Sequence, residues 1–119
     1  MLNLDTHILV HALNGTLRPA EDKLVRAHHW GISDIVLWEL AWLVAGHRLS
    51  LDLDGTDFQR ALSQIHVWPI DFAVARKSAA LDFRGDPADH IIAATSIVHR
   101  VPLLTRDTKI KRSSIVPLA

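Results

Sequence analysis

Short apolar runs alternate along this chain with longer stretches that carry helix-capping and turn residues. The apolar runs lie at residues 2–4, 30–33, 67–70, 102–104 and 115–116. Apart from Asn3 in the first run, they lack the apolar–polar alternation of a strand with one solvent-exposed face, and this is typical of parallel strands that are covered on both faces. The pattern therefore predicts five short, buried strands.

The segments between these strands are predicted to be helices. Asp5 and Thr6 offer oxygen atoms for an N-cap, and Pro19 and Pro87 suit the first helical position. Helices are predicted over residues 6–13, 19–27, 34–47, 56–65, 71–81, 87–100 and 108–112. Strands separated by helices predict an α/β fold, with a single three-layer α/β/α domain over residues 1–119 and a central parallel sheet.

The composition narrows the class of protein. A chain of 119 residues, 49% of them hydrophobic, suits one domain with a substantial core, and the absence of cysteine excludes disulfides and thiolate metal sites. We find no signal peptide and no apolar run near the ~20 residues of a membrane span, so we expect a cytoplasmic protein without a membrane segment. The formal net charge is zero, so the chain as a whole is not basic enough to indicate non-specific binding of nucleic acid over its surface.

Glu39 is the one polar residue in an otherwise apolar stretch from Ile35 to Ala45. A helix that is apolar all round is buried or packed on two sides. An ionised carboxylate there costs several kcal/mol unless it is paired or metal-bound. A narrow solvent-facing stripe, or an ion pair with Arg48, would also account for this residue. We favour a role for Glu39 in a functional site.

Several aspartates lie where predicted strands end or helices begin. Asp5 follows the first strand, Asp107 follows the fourth, and Asp89 lies in the helical turn that begins after Asp86. Each also suits a helix cap or the helix dipole, which is a sufficient structural explanation for any one of them. The carboxyl ends of parallel strands share one edge, however, and ligands bind at that edge. Their coincidence favours one shared acidic site.

Carboxylates that share a cleft repel one another. Two unit charges ~4 Å apart at an effective dielectric constant of ~20 interact by about 4 kcal/mol, so their pKa values rise or a cation holds them. Oxygen ligands without cysteine select Mg²⁺ or Mn²⁺. Such ions activate water and stabilise the charge that develops in phosphodiester hydrolysis. The aspartates and Glu39 thus predict a metal-dependent hydrolytic site.

At these residues the sequence resembles the PIN-domain ribonucleases, and within them the VapC-type toxins of bacterial toxin–antitoxin pairs. The segments "LDTHILV", "ISDIVLWELAWL" and "DPADHIIAATSIVHRVPLLTRD" carry the resemblance, which covers nearly the whole chain. Together they place the family's four acids at Asp5, Glu39, Asp89 and Asp107. One departure is His90, where many relatives have arginine or leucine, and it implies altered substrate contacts.

The resemblance implies an endoribonuclease that depends on Mg²⁺ or Mn²⁺ and acts on RNA in the cytoplasm. It also implies a homodimer and a cognate antitoxin protein whose C-terminal segment lies over the acidic cleft. In this interpretation Asp5 and Asp89 are direct metal ligands, and Asp107 binds the metal directly or through water. Glu39 orients the attacking water or binds a second ion.

Two further groups of residues acquire roles from this interpretation. The first supports the acids through hydrogen bonds or as an additional carboxylate, and comprises Thr105, Thr6, Ser33 and Asp86. The second would contact RNA phosphates without reading sequence, and comprises Arg84, Arg106, Lys109, Lys111 and Arg112. A solvated basic surface is the alternative explanation of the second group.

Trp38 and Trp42 lie four residues apart on the apolar helix. One small domain does not easily bury every face of such a helix, so this pair is predicted to lie in a dimer interface. The alternative to an enzyme is a non-catalytic PIN-fold module that binds RNA or a protein. Four intact acids argue against that alternative, since a non-catalytic relative has no need to bear their mutual repulsion.

Overall fold

Four strands and seven helices alternate along the chain, and the computed structural model describes all of residues 1–119. The strands are β1 (Leu2–Leu4), β2 (Trp30–Ser33), β3 (His66–Trp68) and β4 (Leu103–Leu104). The helices are α1 (Thr6–Asn14), α2 (Pro19–Ala27), α3 (Asp34–Ala45), α4 (Thr56–Ser63), α5 (Phe72–Ser78), α6 (Pro87–His99) and α7 (Thr108–Lys111). No helix combines the length and the apolar character that crossing a membrane requires.

The four strands form one parallel sheet in the order β3-β2-β1-β4. Within it, Asn3 of β1 is paired with Gly31 of β2 and with Leu103 of β4. Leu2, Asn3 and Leu4 are all fully buried, and successive residues of a strand point to opposite faces. Both faces of the sheet are therefore covered, which confirms the predicted α/β/α arrangement around a parallel sheet.

A buried amide fixes α6 against the sheet. Asn3 Nδ2 donates to the Ile92 carbonyl at 3.2 Å and to Ser96 Oγ at 2.9 Å. Leaving such a buried donor without a partner costs about 1–3 kcal/mol, so these hydrogen bonds favour one placement of α6 on β1. That placement also sets where the first turn of α6, with Asp89, lies.

The C-terminal segment contacts the sheet differently from the prediction. The predicted strand over residues 115–116 is wrong, because Ser113 Oγ accepts the backbone N–H groups of both residues and holds them in a turn. Leu118 instead forms a single parallel bridge with Leu103. The end of the chain therefore covers part of the outer edge of β4.

Some predicted elements are longer than those observed. The helix predicted over residues 34–47 ends before Gly46, after which His47 takes a φ of 57°. The strand predicted over residues 67–70 ends before Pro69, which has no N–H to donate to a sheet. The helices predicted over residues 56–65 and 71–81 span Thr56–Ser63 and Phe72–Ser78, and the other bounds agree within one residue.

One face of helix α3 is left uncovered. This agrees with the expectation that one small domain does not bury every face of an apolar helix. Val36 and Leu40 are buried in the core, whereas Trp38 and Trp42 are 57% and 63% exposed. The centroids of the two indole rings lie 6.2 Å apart. The chain by itself thus leaves one apolar face of α3 open to solvent.

Candidate active site

Asp5 and Thr105 directly follow β1 and β4, at the edge where these parallel strands end. Because Leu4 is paired with Leu104, the next residues of the two strands lie side by side. Thr105 Oγ1 donates to Asp5 Oδ2 at 2.5 Å, and both residues are buried. Asp5 Oδ1 accepts the Thr6 N–H at 2.8 Å and so caps α1. Asp5 therefore caps a helix and also contributes a carboxylate to the strand edge.

Glu39 extends from α3 toward the start of α1. Thr6 Oγ1 donates to Glu39 Oε1 at 2.6 Å, and neither of the two ion pairs of the chain joins Glu39 to Arg48. Burial raises the pKa of Glu39, the hydrogen bond from Thr6 opposes this shift, and the negative charge of Asp5 adds to it. Glu39 therefore lies close to Asp5, with Thr6 between them.

Asp89 lies half-buried in the first turn of α6 and responds to all the other acids at this edge. Its pKa is raised to about 6, most strongly by burial and then, in descending order, by the charges of Asp5, Asp107, Glu39 and Asp86. This shared effect on one carboxyl group means that the five acids form a single electrostatic group. We call it the acidic cluster: Asp5, Glu39, Asp86, Asp89 and Asp107.

Asp107 precedes α7 and uses one of its oxygens as a cap. Its Oδ1 accepts the N–H groups of Lys109 and Ile110 at 2.8 and 3.1 Å. Its own N–H donates to Thr105 Oγ1 at 3.0 Å. The Thr105 hydroxyl therefore contacts both Asp107 and Asp5, and it links two acids from opposite ends of the chain.

Two residues predicted to support the acids are placed differently from Thr6 and Thr105. Ser33 forms no hydrogen bond with the acidic cluster, because its Oγ accepts the Ile35 N–H at 3.3 Å and caps α3. Asp86 precedes α6 at the cap position without making a capping hydrogen bond, and its side chain is exposed. Its contribution to the cluster is its charge.

The acidic cluster offers a cation only oxygen atoms, a donor set that suits Mg²⁺ or Mn²⁺. A bound cation would offset the repulsion that helps to raise the pKa of Asp89. In the conformation described, no three acidic or histidine side chains converge closely enough to enclose a metal ion. Binding one therefore requires these carboxylates to turn toward a common point. The chemistry of the donor set fits a divalent cation.

His90 contacts the backbone of its own loop. Its Nε2 accepts the Gly85 N–H at 3.0 Å, and its Nδ1 lies 3.0 Å from the Ser78 carbonyl oxygen, to which it donates. This pair of contacts requires a neutral imidazole with its proton on Nδ1. His90 thus stabilises the loop before α6 through both of its ring nitrogens.

Arg106 differs from the other residues predicted to contact RNA, because it forms an ion pair with Glu21 of α2. Arg106 Nε and Nη2 donate to Glu21 Oε2 and Oε1 at 2.8 and 2.6 Å. The hydrogen bond from Arg106 lowers the pKa of Glu21 to about 2 despite the opposing effect of burial. Sequence reasoning missed this role of Glu21, whose only signal was an acid in the first turn of a helix. The other four, Arg84, Lys109, Lys111 and Arg112, are exposed.

Comparison with known proteins finds relatives over most of the chain. Residues 3–115 match the PIN domain. Ribonuclease VapC22 of Mycobacterium tuberculosis is 32% identical over an alignment of 96 residues, which covers 77% of this chain and 73% of that protein.

Solved structures with a similar fold match the chain from end to end. A chain of the toxin–antitoxin complex from Klebsiella pneumoniae superposes with a TM-score of 0.73 at 26% identity, over 100% of this chain and 97% of that one. A chain of VapBC2 from Rickettsia felis, crystallised with a DNA fragment from the promoter, superposes with a TM-score of 0.71 at 20% identity. The superposition covers 100% of this chain and 98% of that one. The second likeness concerns the fold alone.

Proposed function

Because this chain belongs to the PIN-domain family, we propose that it is a metal-dependent endoribonuclease and the toxin of a toxin–antitoxin pair. The observation that carries this proposal is the acidic cluster, in which burial and the charges of four other carboxylates raise the pKa of Asp89. Helix capping alone does not require these acids to be gathered at one strand edge. A cation site does, because only a shared positive charge offsets their repulsion.

We assign the metal ligands from the positions of the acids. Asp5 and Asp89 hold Mg²⁺ or Mn²⁺ directly, and Asp107 holds it directly or through water. Thr105 donates to the Asp5 carboxylate and accepts the Asp107 N–H, so one buried hydroxyl orients the first acid and holds the backbone of the second. When bound, the cation activates water and stabilises the charge that develops in phosphodiester hydrolysis.

Glu39 is assigned to the attacking water or to a second ion. Thr6 holds Glu39 Oε1, which fixes the direction of the carboxylate relative to Asp5. The raised pKa of Glu39 makes it a better proton acceptor than an ordinary glutamate. Contacts with RNA phosphates are assigned to the four exposed basic residues, Arg84, Lys109, Lys111 and Arg112.

The proposed partners are cellular RNA and a cognate antitoxin protein, both in the cytoplasm. The similarity to Ribonuclease VapC22 supports an RNA substrate. The similarity at 26% identity to a chain of a toxin–antitoxin complex supports the antitoxin.

Metal-dependent cleavage is the first test. Purified protein is incubated with total cellular RNA and Mg²⁺ or Mn²⁺, with EDTA in one control and the Asp5→Asn variant in another. We expect discrete RNA fragments that disappear in both controls, because the variant removes one negative charge from the metal site and keeps the side-chain shape. Fragments that persist with Asp5→Asn would refute the assignment of the acidic cluster.

A wild-type protein that binds Mn²⁺ and leaves RNA intact would favour the non-catalytic module that binds RNA or a protein. A melting temperature that does not change when Mn²⁺ is added would mean that the aspartates serve only as helix caps. A ligand present at 100 times its dissociation constant stabilises a protein by about 2.7 kcal/mol, so Mn²⁺ binding is easily distinguished from its absence in a melting curve.

We also propose a homodimer in which Trp38 and Trp42 lie at the interface, since their exposed rings form a continuous apolar surface on α3. The Trp42→Glu variant is expected to be monomeric at micromolar concentration, because burying a carboxylate between two apolar surfaces opposes association. Sedimentation velocity measures this, with Ile115→Glu as the control for an exposed apolar residue on another segment. A monomeric wild type, or a dimeric Trp42→Glu variant, would exclude this interface.

A further inference from the structure

The connection between β4 and α7 carries two residues of the candidate active site on a segment without regular structure. It consists of residues 105–107, and Thr105 and Asp107 both contact the strand edge. Arg106, between them, turns the other way and reaches Glu21 on α2. The position of the connection thus depends on contacts made to both sides of it.

Glu21 is held firmly on its own helix. Its Oε1 accepts the Arg18 N–H at 2.8 Å, as in a capping box, and also accepts Arg106 Nη2 at 2.6 Å. The Glu21 side chain is 10% exposed and that of Arg106 is 24% exposed. A two-bond contact between guanidinium and carboxylate that is shielded from water in this way fixes both direction and distance.

A third residue completes the anchor from α1. Arg106 Nη1 lies 3.1 Å from His11 Nε2, and His11 Nδ1 lies 2.7 Å from Thr16 Oγ1. Arginine only donates, so His11 Nε2 accepts and its Nδ1 carries the proton that is donated to Thr16. The Arg106 side chain is therefore tied to the end of α1 as well as to α2.

We propose that the ion pair between Glu21 and Arg106 positions the acidic cluster by anchoring the connection between β4 and α7 to α2. Through this connection the pair keeps the Thr105 hydroxyl against Asp5 and the Asp107 carboxylate at the strand edge. The inference rests on the proposed function for its catalytic readout. It assigns Arg106 to positioning and removes it from the RNA-contacting residues, to which its charge and place in the sequence had assigned it.

The test compares Glu21→Gln and Arg106→Gln with the wild type. Affinity for Mn²⁺ alone is measured by calorimetry, cleavage is measured at fixed Mn²⁺, and the salt dependence of RNA binding is measured in EDTA. We expect both variants to lose roughly 10–100-fold in Mn²⁺ affinity, the range found when a residue supporting metal ligands is removed. We expect kcat to fall and KM to stay unchanged in both.

The salt dependence separates positioning from phosphate contact. An arginine that contacts one phosphate contributes about 0.7 to the slope of log binding constant against log salt for single-stranded RNA. If Arg106 positions the cluster, this slope is unchanged in both variants. If Arg106 contacts RNA, Arg106→Gln lowers the slope and Glu21→Gln leaves Mn²⁺ affinity and kcat at wild-type values, which overturns the proposal.

Arg26→Gln is the matched control, because Arg26 forms an exposed ion pair with Asp22 on the same helix. We expect this variant to behave as the wild type in all three measurements. Addition of Glu21→Gln to Asp107→Asn should lower Mn²⁺ affinity less than Glu21→Gln does alone, because the ion pair then has one fewer ligand to position. A full additional loss in that background would mean that the ion pair acts elsewhere, and would also overturn the proposal.

The remaining outcomes are also decisive. If Glu21→Gln does not fold, Arg106→Lys, which keeps the charge and loses the two-bond geometry, is expected to show the same loss of Mn²⁺ affinity. Wild-type Mn²⁺ affinity in that variant would overturn the proposal. A wild type that binds Mn²⁺ without cleaving RNA refutes the proposed function only, since the Mn²⁺ affinities of the variants still decide the role of the ion pair. A wild type that binds no Mn²⁺ refutes both.

Discussion

Replacement of Asp89 by asparagine is expected to raise the melting temperature of the metal-free protein and to abolish metal-dependent RNA cleavage. The pKa of Asp89 is raised from 3.8 to about 6 by burial and by the other acids of the cluster. A shift of this size corresponds to about 3 kcal/mol. Solvent screening of a half-exposed group reduces the cost of its charge to about 1–2 kcal/mol. Removing the charge removes this cost, and it also removes a proposed metal ligand.

The gain in stability should appear as a rise of roughly 4–8 °C in melting temperature in EDTA at pH 7.5. The loss of cleavage should exceed the roughly 100-fold that the loss of a supporting residue costs. Calorimetry and single-turnover cleavage of RNA measure the two effects on the same preparation. Asp57→Asn is the matched control, because Asp57 occupies the first turn of α4 and is exposed.

In the control, the substitution removes a carboxylate that interacts favourably with the helix dipole, so we expect a loss of at most about 1 kcal/mol and unchanged cleavage. If Asp89→Asn destabilises the protein to the same extent as Asp57→Asn, then Asp89 serves only to interact with the helix dipole. The opposite signs of the two substitutions distinguish a carboxylate held for its function from one that stabilises its helix.

Acidification is expected to weaken metal binding and to stabilise the metal-free fold over the same range of pH. Below pH about 6 Asp89 becomes protonated, so the rise in melting temperature caused by Mn²⁺ should be large at pH 7.5 and small at pH 5. Cleavage should fall about tenfold for each pH unit below 6, since one proton competes with the metal. Melting curves with Mn²⁺ or EDTA across pH 5–8 give both quantities.

The effect on the metal-free protein follows from the direction of the pKa shift. Asp89 binds a proton more tightly in the folded state than its ordinary pKa of 3.8 allows, so its destabilising charge is fully present above pH 6 and is relieved between pH 6 and 3.8. Glu39, whose pKa is also raised, acts in the same direction. Glu21 acts in the opposite direction, because the stability from its pKa of about 2 is lost only as the pH falls below 4.5.

Between pH 6 and 4.5 the metal-free protein should therefore become more stable while its affinity for Mn²⁺ decreases. The Asp89→Asn variant is the control, since most of the pH dependence in this range should be absent from it. A metal-free wild type that loses stability steadily from pH 7 to 5 would contradict the raised pKa of Asp89.

The sequence was sufficient to predict most of the architecture. Unalternating apolar runs predicted the parallel sheet, because strands covered on both faces need apolar side chains in both directions. The failure at residues 115–116 has a local cause, since the Ser113 hydroxyl captures two N–H groups that a strand would have used. A two-residue apolar run next to serines does not distinguish a strand from a turn.

The proximity of Asp5 and Asp107 was predictable from two independent rules, one for helix caps and one for the carboxyl ends of parallel strands. Asp5 and Asp107 each cap a helix, and the topology then brings both to one edge of the sheet. Capping rules alone could not reveal this proximity, which depends on the pairing of β1 with β4. The pairing of Arg106 with Glu21 was not predictable from the sequence. These partners are 85 residues apart along the chain, and no capping or strand-end rule brings them together.

The hydrogen bond between Thr105 and Asp5 joins residues that are 100 positions apart, and this separation has a consequence for synthesis of the protein. β1 and β4 are neighbours in the sheet, yet most of the strands and helices are made between them. A nascent chain in which β4 is still inside the ribosomal exit tunnel cannot bring Thr105 and Asp107 to Asp5. The acidic cluster is therefore expected to be incomplete until β4 and the connection that follows it have left the ribosome.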